Sequence, residues 1–214
     1  MELMIAVIGD LRRPRAVPDR SRFDQRLRQL TARMRERQGC LLEAQGVDRV
    51  LGVGRSLRQV VSLTHDLALG VFPQALRFGV GLGSVDVGAS SGDVNRMDGP
   101  ALHQASDAAR EAQRRRVSLV FQLGTAHEAM KAEIAAIETN LELLQCIRDG
   151  WNDRLLQIST KYEELGRQED VAKDLGISQQ AVSHALARGH HRPYRASLQS
   201  VQELMSRWDE RLGL

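Results

Sequence analysis

Nineteen residues, Gln168 to Leu186, constrain this chain more tightly than any other part of it. They read Gln-Glu-Asp-Val-Ala-Lys-Asp-Leu-Gly-Ile-Ser-Gln-Gln-Ala-Val-Ser-His-Ala-Leu. Ala172 is small where two helices would approach closest. Gly176 follows four residues later, where a sharp turn needs the positive φ that glycine adopts most easily. Ser178 then has the hydroxyl to cap a second helix. Val171, Leu175, Ile177, Val182, Ala185 and Leu186 supply one shared apolar core. The pattern predicts two short helices crossing steeply, with Asn152–Tyr162 as a supporting first helix through Leu155, Leu156 and Tyr162.

This stretch resembles the helix-turn-helix of phage Cro-type repressors and related bacterial regulators, through Ala172, Gly176, Ile177, Ala181, Val182 and Leu186. The resemblance implies a partner, double-stranded DNA, with the second helix in the major groove. Ser178, Gln179, Gln180, Ser183 and His184 would then face base edges, the glutamines being suited to bidentate pairing with adenine. Arg188 and Arg192, with His190, His191 and Arg195, would reach phosphates and orient the unit without reading sequence. A helical hairpin that only packs or dimerises is the alternative. Regulators of this kind commonly bind two half-sites as dimers, so a homodimer is expected.

Charge supports this only locally. Residues 1–124 carry 19 Arg and 13 acids, a balance of +6, whereas residues 125–214 carry 11 bases and 14 acids, a balance of −3. Within residues 167–195, five bases outnumber three acids, with His184, His190 and His191 beside them. No apolar run reaches the roughly 20 residues needed to cross a bilayer, so no membrane partner is expected. The opening Met1–Asp10 lacks a basic leader region and reads as a buried strand rather than a signal peptide. Cys40 and Cys146 are far apart with no metal-ligand spacing, which fits a reducing, cytoplasmic location.

Before residue 124 the pattern alternates. Met4–Gly9 is a continuous apolar run, and a helix beginning near Ser21 carries Phe23, Leu27, Leu30 and Met34 on one face. Leu41–Glu43 and Val50–Val53 flank a turn at Gln45–Asp48. Leu57–Leu69 reads as a helix and Leu76–Leu82 as a strand. A polar loop at Ser84–Gly99, a helix from Pro100 to about Arg116 and a strand at Ser118–Leu123 follow. The order β-α-β-β-α-β-α-β predicts an α+β, ferredoxin-like sheet extended by one helix and strand, with the helices on one side. Met130, Ile134, Ile137, Leu141 and Leu144 then form a short seam, read either as core packing or as a dimer helix. Ser197–Leu212 is amphipathic and is expected to cover the helix-turn-helix core, with a dimer contact as the alternative. The domains expected are 1–124 (α+β), 125–150 (a connecting helix) and 151–214 (all-α, with the helix-turn-helix).

Three segments carry a second resemblance: Ile5–Asp10, Arg77–Gly83 and Asp98–Ala105. The chain resembles the SatD family, whose N-terminal region is similar to the palm-like fold of nucleotidyl and diguanylate cyclases and is followed by a terminal helix-turn-helix. That similarity implies a two-metal site with a carboxylate after the first strand and acids on a hairpin. Asp10 and Asp48 occupy the metal positions. The hairpin in such chains usually reads Gly-Asp-Glu-Phe-Gln, whereas here Gly46-Val47-Asp48-Arg49-Val50 replaces one acid with valine and adds an arginine. The site looks damaged, so no cofactor is expected, and Mg²⁺ only if the palm-like site is active. Gly79–Gly83 has the wrong spacing for a dinucleotide fingerprint and reads as close helix-on-sheet packing. Gly52–Ser56 lacks the lysine and spacing of a P-loop.

The expected function is therefore a sequence-specific DNA-binding regulator of transcription, whose N-terminal domain dimerises or senses a nucleotide or small anion. A metal-dependent cyclase or nucleotidyltransferase and a noncatalytic interaction scaffold are the alternatives.

Overall fold

A computed structural model describes residues 3–214; Met1 and Glu2 of the opening apolar run lie outside the described residues. The first part of the chain alternates as expected: β1 (Leu3–Leu11), α1 (Arg20–Gln38), β2 (Leu41–Gln45), β3 (Arg49–Gly54), α2 (Leu57–Gly70), β4 (Leu76–Ser84), α3 (Pro100–Arg115) and β5 (Leu119–Gln122). The strands form one sheet in the order β2-β3-β1-β4-β5. Neighbours are antiparallel except β4 and β5, which run parallel. The fold is α+β, and the first four strands have the ferredoxin-like arrangement.

The central strands are apolar on both faces. Ile5 and Val7 point to one side of β1, and Ala6 and Ile8 to the other; all four are buried. Here the structure corrects the sequence reading, because the helices lie on both sides of the sheet. One core cluster joins Ala6, Ile8, Leu51 and Val53 to Ala101, Ala105 and Ala109 of α3. The opposite face meets α2, where a Cβ on Gly54 would touch Val60. The reason lies in β4. A Cβ on Gly79 or Gly81 would come within 2.3 Å of α3 backbone. Gly79, Gly81 and Gly83 therefore form a bare strip onto which the alanines of α3 settle.

The remainder is helical: α4 (Ala126–Ala129), α5 (Lys131–Asp149), α6 (Asp153–Leu165), α7 (Gln168–Leu175), α8 (Gln179–Arg188) and α9 (His191–Leu212). Met130, Ile134, Ile137 and Leu144 of the predicted seam are buried. Glu138 and Glu142, one turn apart on α5, accept hydrogen bonds from the backbone N–H groups of Phe121 (2.9 Å) and Ser118 (2.6 Å). They thereby satisfy donors at β5, the last strand in the sheet order.

The chain divides into two compact units, Met1–Glu142 with Gln202–Leu214, and Leu143–Val201. The end of α9 thus belongs with the sheet, not over the helix-turn-helix as its amphipathic pattern suggested. Trp208 is buried edge-on against Phe121, and its indole N–H donates to Glu133 at 2.7 Å. Asp209 accepts from the Ser56 hydroxyl and the Leu57 N–H, both at 2.6 Å, and so caps the start of α2. Apolar periodicity defines a buried face without naming what buries it.

Candidate nucleic-acid interface

The second unit is built around three helices. Asn152 caps α6 through the Leu155 N–H (2.9 Å). α7 closes on Gly176, whose φ of 63° places it in the left-handed region. The Ile177 N–H returns to the Ala172 carbonyl (3.0 Å) and the Gly176 N–H to that of Lys173 (3.4 Å). These paired bonds make a Schellman turn. Ser178 then starts α8, its hydroxyl accepting from the Ala181 N–H (3.1 Å). Ile158, Val171, Ala172, Val182, Ala185 and Leu186 form the shared core, with Leu155, Tyr162, Leu175 and Ile177 packed against it.

With one side of α8 committed to that core, the other faces solvent. Ser178, Gln179, Gln180, His184 and Arg188 are exposed, and Ser183 is half-buried. Arg192 is also exposed, but it stands on the first turn of α9, beyond Gly189 and a left-handed His190 (φ 51°). Two of the proposed phosphate contacts are differently placed. His191 is buried, its ring edge-on to Tyr162 at 5.3 Å, so it belongs to the interior. Its Nε2 approaches Glu163 to 2.8 Å without hydrogen-bond alignment, and burial holds its pKa below the usual histidine value against the pull of Glu163. Arg195 is engaged by the same Glu163 at 2.7 Å. These side chains line a cavity of about 680 Å³ with Tyr162, Ser183 and His190.

In the first unit, Asp10 is the penultimate residue of β1 and Asp48 precedes β3, and both line a polar cavity of about 460 Å³. Arg49 lies directly across from Asp10 in the β1–β3 register. Its guanidinium donates to both carboxylate oxygens, at 2.7 and 3.3 Å. That bond raises the pKa of Arg49 despite partial burial. The Gln113 amide adds a longer contact to Asp10 at 3.5 Å. Among the described residues no three or more His, Cys, Asp or Glu side chains converge as a metal-binding group. An arginine clasped on both oxygens of the first acid, with valine in place of a hairpin acid, does not fit a two-metal site.

Several polar side chains around this end escaped the sequence reading. Gln45 and Gln113 line the cavity beside Asp10 and Asp48. Arg77 stands opposite Asp10 on β4, and Arg12 and Arg116 lie near it. The consecutive arginines at 12–13 and at 114–116 were the only local trace of this cluster. Their convergence depends on strand order.

The SatD family model matches residues 4–205. No curated protein matches the chain. Similar solved structures include the monomeric guanylyl cyclase domain of the RhoGC fusion protein from the aquatic fungus Blastocladiella emersonii. It is 12% identical, with a TM-score of 0.41, over 61% of this chain and 86% of that one. Another is the Regulator of Polyketide Synthase Expression from Bifidobacterium adolescentis, 15% identical with a TM-score of 0.27, over 97% of this chain and 86% of that one. Among the described residues, no helix is long and apolar enough to cross a membrane.

Proposed function

The chain belongs to the SatD family, and we propose that it is a sequence-specific DNA-binding protein that regulates transcription from the cytoplasm. The observation that carries this reading is the division of α8: Val182, Ala185 and Leu186 are buried, while Gln179, Gln180, His184 and Arg188 are exposed on the same ten-residue helix. A helix held rigidly on one side, with amide side chains at its exposed start, suits insertion into a major groove. Gln179 and Gln180 read bases. Ser178, Ser183 and His184 support them, and Arg188 and Arg192 contact phosphates. Two copies of the chain, as a homodimer, engage two half-sites. The palm-like domain acts as a sensor or dimerisation module rather than a catalyst, since Arg49 holds Asp10 where a cation would be needed.

The test is fluorescence anisotropy of the full chain with DNA from around its own gene, at two salt concentrations and with non-specific competitor. Binding should survive competitor and weaken with salt. Changing both glutamines (Gln179→Ala with Gln180→Ala) should weaken it at least about tenfold, since each bidentate pair contributes roughly 1–3 kcal/mol. Binding that ignores both substitutions would sink the reading.

A further inference from the structure

The sensor reading can be given a ligand. We propose that the first unit binds a small oligophosphate anion between Arg12, Arg13, Arg77 and Arg116, beside Ser118, at the end of the sheet that carries Asp10. The inference rests on the reading of this domain as a sensor, but it is tested without DNA.

Strand order assembles the cluster. Arg12 follows the end of β1, and its N–H donates to the Ala75 carbonyl (2.8 Å) just before β4. Arg77, the second residue of β4, pairs with Asp10. The Phe78 N–H donates to the Ser118 carbonyl (2.8 Å), which brings the start of β5 alongside the start of β4. Arg116 arrives from the end of α3. Four guanidinium groups from three separated stretches of chain therefore gather at Arg77. Among the described residues, Glu142 is the acid acting on Arg77, and its carboxylate already accepts the Ser118 N–H. Asp10, opposite Arg77, is held by Arg49.

Two buried polar atoms here lack partners. Nε of Arg77 has no acceptor, and the hydroxyl of Ser118, a residue only 9% exposed, has neither donor nor acceptor. They belong to neighbouring strand ends. Burial first, then Arg12, Arg116 and Arg13, lowers the pKa of Arg77, with Glu142 opposing. A like-charge group of this kind is costly until a multiply charged anion sits among it.

Arg116 supplies an independent sign. It occupies the left-handed position (φ 60°) of a Schellman turn, with its N–H on Gln113 (3.2 Å) and that of Val117 on Ala112 (3.1 Å). Glycine suits that position best, and an arginine there costs stability. The side chain stands where the backbone would prefer none.

The ligand class follows from the charge and the donors. Among the groups acting on Arg77, three other guanidinium groups oppose one carboxylate, a balance that a multiply charged anion redresses better than a single carboxylate ligand. Planar guanidinium forks pair bidentately with phosphate oxygens. The adjoining polar cavity, lined by Gln45, Asp48 and Gln113, has room for whatever the phosphates are attached to.

The experiment is thermal unfolding of the full chain in EDTA, with phosphate, pyrophosphate, ATP or GTP added and sulfate at matched ionic strength as control. Pyrophosphate or a nucleotide at a hundredfold excess over its Kd should raise Tm by about 5 °C or more, and sulfate should not. A larger shift with a nucleotide than with pyrophosphate identifies a nucleotide as the natural carrier; equal shifts identify the inorganic ion. Arg116→Gly should leave the ligand-free Tm unchanged or higher, since glycine suits the turn, and weaken anion binding at least about tenfold. Arg77→Gln should weaken it similarly. Equal stabilisation by sulfate, an undiminished shift in Arg116→Gly, no shift with any phosphate, or a requirement for Mg²⁺ would each overturn the proposal. Anisotropy with DNA, run separately, keeps the two readings apart: loss of the regulator reading would leave the anion shift intact.

Discussion

Two helices in this chain end in the same backbone turn with different residues at its centre. α7 closes on Gly176 (φ 63°) and α3 on Arg116 (φ 60°), and both turns carry the paired return hydrogen bonds of a Schellman motif. At Gly176 nothing lies within 4 Å of where a Cβ would stand, so conformation alone selects glycine there. At Arg116 the same conformational demand is overridden. The difference teaches that the helix-turn-helix is a local design, whose turn exists to aim α8. The sheet end keeps a disfavoured residue, which we read as serving a ligand.

A second glycine is selected by crowding rather than by conformation. Gly79 has ordinary strand geometry, but its Cβ would lie 2.1 Å from the Ala109 backbone nitrogen. Gly79→Ala should therefore be the most damaging small substitution, at about 3 kcal/mol, because a helix backbone must move to admit one methyl group. Denaturant unfolding would measure it, and a loss below about 1 kcal/mol would mean that α3 is not seated on β4 as described. Gly176→Ala meets open space and should cost only the left-handed conformation, about 1 kcal/mol. A much larger loss there would break the distinction between crowding and conformation.

The smallest expected effect contrasts the two regions by pH. The sheet end gathers arginines, whereas the second unit buries a histidine, His191, with its pKa lowered. Burial favours the neutral ring, so below about pH 6.5 the unfolded chain takes up a proton that the folded unit resists. This contribution to stability is complete above that pH and declines as pH falls toward the depressed value. The slope cannot exceed about 1.4 kcal/mol per pH unit for one group. The protection of α6–α8 amides against hydrogen exchange, corrected for the intrinsic slowing at lower pH, should fall between pH 7.5 and 5.5, and His191→Phe should flatten that response. Identical behaviour in the variant would place the sensitivity elsewhere.

By itself the sequence determined the elements and the helix-turn-helix. The strand and helix order of residues 1–124 follows from local apolar periodicity, and Ala172, Gly176 and Ser178 impose their turn within a few residues of chain. The exposed residues of α8 were legible for the same reason: a helix with one buried face exposes the other. Tertiary structure alone decided which face of the sheet α3 covers, where the end of α9 docks, and that His191 is interior. It also decided the company of Asp10. Arg49, Arg77, Gln113 and Ser118 reach that end of the sheet only through strand order and register. Short-range patterning records which residues are buried, but not which distant segment buries them or pairs with their charges, because those contacts are set by the packing of the whole sheet.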